Sequence, residues 1–230
     1  MVTASNTVSV RALNFQRPGA PDWHLQVSTL DIGRGEKIFI YGPSGSGKTT
    51  LLDLLTGINT AVDGSIKIMD SDLVAMNTRQ RDRFRADHIG LIFQQFNLLP
   101  YLNVIDNVIL PCHFSNKRKQ NELASGSLRE AAIKLLDSLR FNSDLYDRQA
   151  THLSVGEQQR VAVARALMGK PELIIADEPT SALDEDTRDE FIQLLIESVS
   201  DTNSTVIFVS HDKSLARHFD LQIDISSLSD

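Results

Sequence analysis

The stretch Gly42-Pro43-Ser44-Gly45-Ser46-Gly47-Lys48-Thr49 constrains this 230-residue chain more than any other. It matches the phosphate-loop pattern G-x-x-x-x-G-K-[ST]. Average residue usage puts the bare pattern in about one chain of this length in a hundred, so context must decide. The apolar strand Ile38-Phe39-Ile40 precedes it, and a helical segment from Lys48 through Leu55 follows. That order aims backbone N–H groups and the positive end of a helix dipole at an anion. In such a loop Lys48 reaches the β and γ phosphates of a nucleotide, and the Thr49 hydroxyl ligates Mg²⁺. Thr50 is counted with the loop as a binding residue. A Gly/Ser-rich turn that binds nothing is the plainer alternative, and the flanking strand and helix speak against it.

Further short β-branched runs at Lys37 to Tyr41, Ile66 to Met69, His88 to Phe93, Leu173 to Asp177 and Thr205 to Ser210 read as buried strands. Segments of helical spacing separate them, which predicts an α/β fold with a parallel core. Ser127-Leu128-Arg129-Glu130 fits a capping box opening a helix with Leu128, Ala132, Leu135, Leu136 and Leu139 on one face. Glu185 to Val199 carries a similar stripe in Phe191, Leu194, Leu195 and Val199, and core packing accounts for both. The polar Ser115 to Gly126 stretch, with Lys117-Arg118-Lys119 inside it, reads as an exposed, solvated loop. The strand Leu173-Ile174-Ile175-Ala176 ends on Asp177 and Glu178, at the strand end where ligands of open α/β sheets bind. Asp177 suits a Mg²⁺ shell, and Glu178 suits a general base for an attacking water. Alone, such a pair is commonplace; its weight comes from the phosphate loop in the same chain.

Composition narrows the partners. With 23 basic and 30 acidic residues the net charge is −7, so no global basic field holds nucleic acid or an anionic membrane. Cys112 is the one cysteine, which rules out an intrachain disulfide and a Cys-based zinc site and suits a reducing compartment. The first residues do not read as a signal peptide, and no apolar run approaches the ~20 residues that span a bilayer. The expectation is a soluble intracellular chain that meets a membrane through a partner.

Leu153-Ser154-Val155-Gly156-Glu157-Gln158-Gln159-Arg160 lies between the phosphate loop and the Asp177 strand. It resembles the signature motif of ABC-type ATPases, usually Leu-Ser-Gly-Gly-Gln or Leu-Ser-Gly-Gly-Glu followed by Gln-Gln-Arg. Other landmarks follow in that family's order: Gln94 for the Q-loop, Ser181-Ala182-Leu183-Asp184 for the D-loop, and His211 in Val209-Ser210-His211-Asp212 for the switch loop. The resemblance runs from Val8 to about Ile225.

It implies a phosphate-loop NTPase fold: a mostly parallel sheet core, an ABC-type helical subdomain and an N-terminal antiparallel β region. As one ABC ATPase domain over 1–230, its RecA-like core would cover about 1–93 and 170–230, and the helical subdomain about 94–169. It further implies an ATP-dependent head-to-tail homodimer in which each ATP lies between one copy's phosphate loop and the other's signature. Ser154 and the Gly156 backbone would then meet the γ phosphate from across the interface at the start of the helix, with Glu157 and Asp184 counted among the binding residues. Ser154 could equally be a plain helix N-cap, or cap and bind at once. Glu178 and His211 would act on the attacking water with Lys48 at the phosphates, and Gln94 would join Thr49 and Asp177 at Mg²⁺. Counting back from Gly35-Glu36 puts Phe15 at the adenine-stacking position. Trp23 competes for that role, and an aromatic beside Leu13 could equally be core.

Val155 departs from the family's first signature glycine, and its β-branch restricts the backbone there. No accessory domain is expected after the switch loop. Phe93-Gln94-Gln95-Phe96-Asn97-Leu98-Leu99-Pro100 resembles the lipoprotein-release and macrolide-export branch, whose ATPases serve an integral membrane permease subunit from the cytoplasmic face of the inner membrane. Phe96, Leu98, Leu99, Tyr101 and Leu102 would either form a groove for that partner or pack inside the helical subdomain. Two alternatives stand beside transport: a soluble ABC ATPase acting on nucleic acid, the ribosome or cofactor assembly, and a module in which ATP binding switches a partner. Net charge and the single ATPase domain argue against the first.

Overall fold

Alternating burial builds an antiparallel sheet from β1 (Asn6–Gln16) and β2 (His24–Gly33). Val8, Val10, Leu13 and Phe15 face inward from β1, and Leu25, Val27, Leu30 and Ile32 from β2, with Val10 opposite Leu30. β4 (Asp63–Ile68) pairs with the other edge of β1 and is followed by the short edge strand β5 (Ser71–Asp72). A register shift between Arg11 and Asn14 coincides with a left-handed Ala12 (φ 45°), the mark of a bulge that bends the strand.

A computed structural model describes residues 6–16, 24–61, 63–124, 126–181, 183, 185–200 and 202–229. The chain divides into two units, Met1–Arg85 with Thr205–Asp230, and Ala86–Ser204. In the first, β3 (Lys37–Tyr41) lies between β8 (Thr205–Val209) and β9 (Leu221–Asp224), parallel to both. Ile38, Phe39, Ile40, Val206, Ile207, Phe208 and Val209 are all buried, as expected of parallel strands covered on both faces. Phe39, Phe208 and Phe219 cluster with ring centroids 5.2–6.1 Å apart. Each such buried side chain contributes about 1.5–3 kcal/mol. α1 (Lys48–Leu55) buries Leu51, Leu52, Leu54 and Leu55.

The second unit holds the parallel pair β6 (Ile89–Ile92) and β7 (Leu173–Asp177). Its helices are α3 (Val104–Ile109), α4 (Pro111–Phe114), α5 (Asn116–Leu123), α6 (Leu128–Ser138), α7 (Val155–Leu167) and α8 (Glu185–Ser200). The chain passes from one unit to the other through α2 (Thr78–His88). α3, α6 and α7 pack on one another, and α7 also packs on β6. The Ser127 capping box forms as expected, and Ala132, Leu136 and Leu139 of the α6 stripe are buried with Ala131, while Leu128 and Leu135 stay half-buried. In α8 the whole expected stripe, Phe191, Leu194, Leu195 and Val199, is buried. Among the described residues no helix is long and apolar enough to cross a membrane.

One expectation is corrected. Ser115 to Gly126 is not a solvated loop, because α5 occupies Asn116–Leu123 behind the N-cap Ser115. Its inner face is polar rather than apolar. Arg118 donates to the carbonyls of Met168 and Ile89, and Glu122 accepts from Gly169 N–H at 3.0 Å. Lys117 pairs with Glu172, which also meets His88. Paired charges replace the hydrophobic stripe that sequence patterning detects.

Candidate active site

β3 delivers the chain into the phosphate loop. Gly45 and Gly47 turn it with left-handed backbones (φ 81° and 99°) that side-chain-bearing residues adopt only under strain, and Gly47 is the N-cap of α1. The amides of the first turn of α1 therefore open toward the loop without intrahelical acceptors. Lys48 is buried, its Nζ donating to the loop's own carbonyls at Gly42 (2.8 Å) and Pro43 (2.9 Å). Ser46 N–H donates to Pro43 at 3.2 Å, while Ser46 Oγ is buried with no hydrogen-bond partner. A held cation, an orphaned hydroxyl and converging amides fit a polyphosphate. Thr49 is exposed at the start of the helix, Thr50 buried.

His211 follows β8 in the same unit, on an exposed turn. Ser210 N–H extends the ladder to Ile40 at 3.2 Å, and Ser210 Oγ accepts from Asp212 N–H at 3.1 Å. Asp212 in turn caps the short helix Lys213–His218 through Ser214. Lys213 Nζ lies 4.1 Å from the ring centroid of Tyr41, the residue before Gly42, a cation–π contact that ties the His211 turn to the base of the phosphate loop.

The second unit carries the carboxylates and the signature. Asp177 closes β7 half-buried, and Glu178 follows with φ 45°. A non-glycine residue held left-handed costs about 1–3 kcal/mol and persists where the surroundings enforce it. The turn is enforced by Ser181 N–H donating to Glu178 O (3.2 Å) and by the buried Gln159 of α7, which donates to Pro179 O at 3.0 Å. Gln94 sits in an exposed turn after β6. Since Ile92 pairs with Ala176, Gln94 and Glu178 each stand two residues past a matched pair at the same ends of parallel strands. Ser154 is the N-cap of α7 in a reciprocal box: Ser154 N–H donates to Glu157 Oε2 at 2.7 Å, and Glu157 N–H donates to Ser154 Oγ. Val155 is exposed, and a Cβ placed on Gly156 would meet nothing within 4 Å. Phe15 is buried to 5% exposure opposite Leu25, in keeping with its core alternative; as placed, its ring is not an open stacking surface. Trp23 and Asp184 lie outside the described residues. Of the apolar set after Gln94, Phe96 is buried and Tyr101 exposed.

Among the described residues no group of three or more His, Cys, Asp or Glu could hold a metal. The Thr49 hydroxyl, exposed at the start of α1 beside the phosphate loop, is an oxygen donor of the kind Mg²⁺ takes together with phosphate oxygens. Sequence reading passed over Gln159 and Arg165. The available signal for Arg165 was a lone cation inside the apolar run Val161 to Met168.

A family profile described as ABC transporter matches residues 25–181. The chain is 39% identical over 194 residues to the lipoprotein-releasing system ATP-binding protein LolD of Psychrobacter arcticus, covering 84% of this chain and 83% of that one. It is 40% identical over 197 residues to the macrolide export ATP-binding/permease protein MacB of Rhodopirellula baltica, covering 85% of this chain and 28% of that one. Among solved structures, the dimeric post-hydrolysis state of the ATP-binding cassette MJ0796 bound to ADP and Pi superposes with a TM-score of 0.78 at 31% identity, covering 94% of this chain and 93% of that one. Phosphate loop, strand-end carboxylates and capped signature helix thus occur together in a chain that belongs to the ABC transporter family, as an ATP-binding subunit that hydrolyses ATP with Mg²⁺.

Proposed function

We propose that two copies of this chain close head to tail on ATP and that closure and hydrolysis drive an integral membrane partner by export, lipoprotein release or mechanotransmission. The subunit would work at the cytoplasmic face of the inner membrane. The observation that carries this reading is the start of α7. Gly156 has a helical backbone and open space where a side chain would go, so nothing within this chain calls for glycine there. Glycine weakens a helix by about 1 kcal/mol relative to alanine. Its use is explained if a phosphate of the other copy's ATP approaches the backbone closely at the capped helix start. The similarity to LolD and MacB supports the kind of membrane partner.

In this reading the chain is one ABC ATPase domain over 1–230, with a RecA-like core of about 1–93 and 170–230 and a helical subdomain of about 94–169. Residues 42–50 cradle the phosphates, and Lys48 exchanges its loop carbonyls for β and γ oxygens. Mg²⁺ neutralises phosphate charge. Thr49, Asp177 and Gln94 are its protein-side donors, directly or through water. Glu178 accepts the proton of the attacking water, and His211 holds that water and the γ phosphate in line. Ser154, Gly156 and Glu157, with Asp184, complete the other copy's site. The adenine platform is assigned to Phe15, provided that its ring becomes uncovered.

The test is Glu178→Gln, which keeps the turn and its size but removes the base. Turnover is expected to fall to background while ATP and Mg²⁺ drive a dimer detectable by size exclusion. Hydrolysis at the wild-type rate overturns the assignment of Glu178. Lys48→Ala is expected to lose nucleotide binding instead, and unchanged ATP affinity would remove its role.

A further inference from the structure

α7 carries a cation where its neighbours are apolar. Val161, Ala162, Val163, Ala164, Ala166 and Leu167 are buried, and Arg165 among them is only 9% exposed. A buried charge persists when it is fully engaged. The Arg165 guanidinium is engaged on two consecutive carbonyls, Nη1 donating to Asn97 O at 2.7 Å and Nη2 to Phe96 O. Both acceptors belong to residues in the left-handed region, Phe96 at φ 58° and Asn97 at φ 49°. Phe96 bears the full strain of that conformation and Asn97, a residue type that tolerates it better, a smaller one, so the corner depends in part on what grips it. The remaining local bonds, Phe96 N–H to Phe93 O (3.0 Å) and Asn97 N–H to Gln95 O (2.6 Å), close the turn around Gln94 and Gln95.

We propose that Arg165 is a positioning residue for the reaction: by clamping the two left-handed carbonyls after Gln94, it sets where the Gln94 side chain stands. The inference rests on the reading that Gln94 serves Mg²⁺ and the γ phosphate. It also gives α7 a connecting role. Ser154 caps its start, Gln159 grips the turn after Glu178, and Arg165 grips the corner after Gln94, so one helix registers the signature against both turns. The fork geometry matters. A guanidinium reaches two adjacent carbonyls with two separate nitrogens of one rigid plane, whereas lysine has to bring a single nitrogen on a flexible, shorter stem close to both, and so fixes their positions less firmly.

The test compares Arg165→Lys, Gln94→Ala and the double variant Arg165→Lys/Asn97→Gly with the parent chain. The readouts are kcat, the Mg²⁺ concentration giving half-maximal activity, and the affinity for a fluorescent ATP analogue without Mg²⁺. Misplacement of a positioning contact is expected to lower kcat about tenfold to a hundredfold in R165K. The Mg²⁺ requirement is expected to rise, with metal-free nucleotide affinity within about twofold because the phosphate loop is untouched. Asn97→Gly is expected to restore kcat at least about threefold in the R165K background, since glycine takes a left-handed φ without a clamp. If Q94A is slow while R165K keeps the parent kcat and Mg²⁺ dependence, Arg165 only packs the helix and the proposal is wrong. If Q94A turns over at the parent rate, the reading of Gln94 and the proposal fall together. Absence of rescue by Asn97→Gly also overturns it. Should R165K not accumulate as folded protein, the exposed Asn97 carries the test. Alanine tolerates left-handed φ less well than glycine, so N97A is expected to be slower than N97G, and equal rates refute the proposal.

Discussion

Replacing Gly156 by alanine is expected to strengthen the free chain and weaken its reaction, two effects of opposite sign from one methyl group. Gly156 is the second residue of α7 after the N-cap Ser154, and its added Cβ would meet nothing within 4 Å. Alanine therefore recovers helix propensity and reduces unfolded-state entropy without displacing a neighbour, together about 0.5–1 kcal/mol. For a domain of this size that raises the unfolding midpoint by about 1–4 °C. In the closed ATP dimer the same methyl enters a packed contact, where an extra methyl costs about 1–3 kcal/mol. That corresponds to a loss of about 5- to 150-fold in dimer formation and turnover. Calorimetry without nucleotide reads the first effect. Steady-state ATPase activity, with size exclusion of the same change in a Glu178→Gln background, reads the second. A lowered midpoint would mean that the methyl clashes within the chain. A raised midpoint with unchanged turnover would refute the reading of this helix start as the contact to the other copy's ATP.

Three further outcomes follow from buried polar groups. Arg118→Met removes the donor from the Ile89 and Met168 carbonyls and is expected to cost about 2–5 kcal/mol in urea unfolding; a change near zero would show that α5 does not depend on its polar inner face. Cys112 is buried, and that burial, with Glu122 nearby, pushes its thiol up to about 11, so a disulfide reagent at about pH 8 should modify it only after unfolding; rapid reaction in the native protein would contradict the burial. Burial pushes the Glu172 carboxyl up, but hydrogen bonds from His88 and Lys117 outweigh it and hold the group at about 2. The depressed value makes its contribution complete above the ordinary 4.5 and lost as pH falls toward 2. The stability difference between the parent and Glu172→Gln should therefore narrow as pH falls from about 5 toward about 2, and a constant difference over that range would refute the pairing.

What the sequence determined by itself is what neighbouring residues encode. The phosphate loop was legible because glycine backbones, a preceding apolar strand and a following helix start are all local requirements. The Ser127 box and the β3 and β7 strands were legible for the same reason: capping needs residues three apart, and a buried parallel strand is an unbroken apolar run. Tertiary structure decided what depends on who arrives from elsewhere in the chain. α5 reads as a loop until Ile89, Met168, Gly169 and Glu172 supply partners for its charges. Phe15 reads equally as platform or core until the fold buries it. The left-handed Glu178 and Phe96 have no local signature, since neither is glycine or asparagine, and the asparagine at 97 hints at only one residue of that corner. Their conformations exist because Gln159 and Arg165, more than sixty residues from Gln94 in the second case, reach back from α7 to grip the carbonyls beside them. Periodicity records which face of a helix is apolar; it carries no record of which distant carbonyl a buried polar side chain will meet.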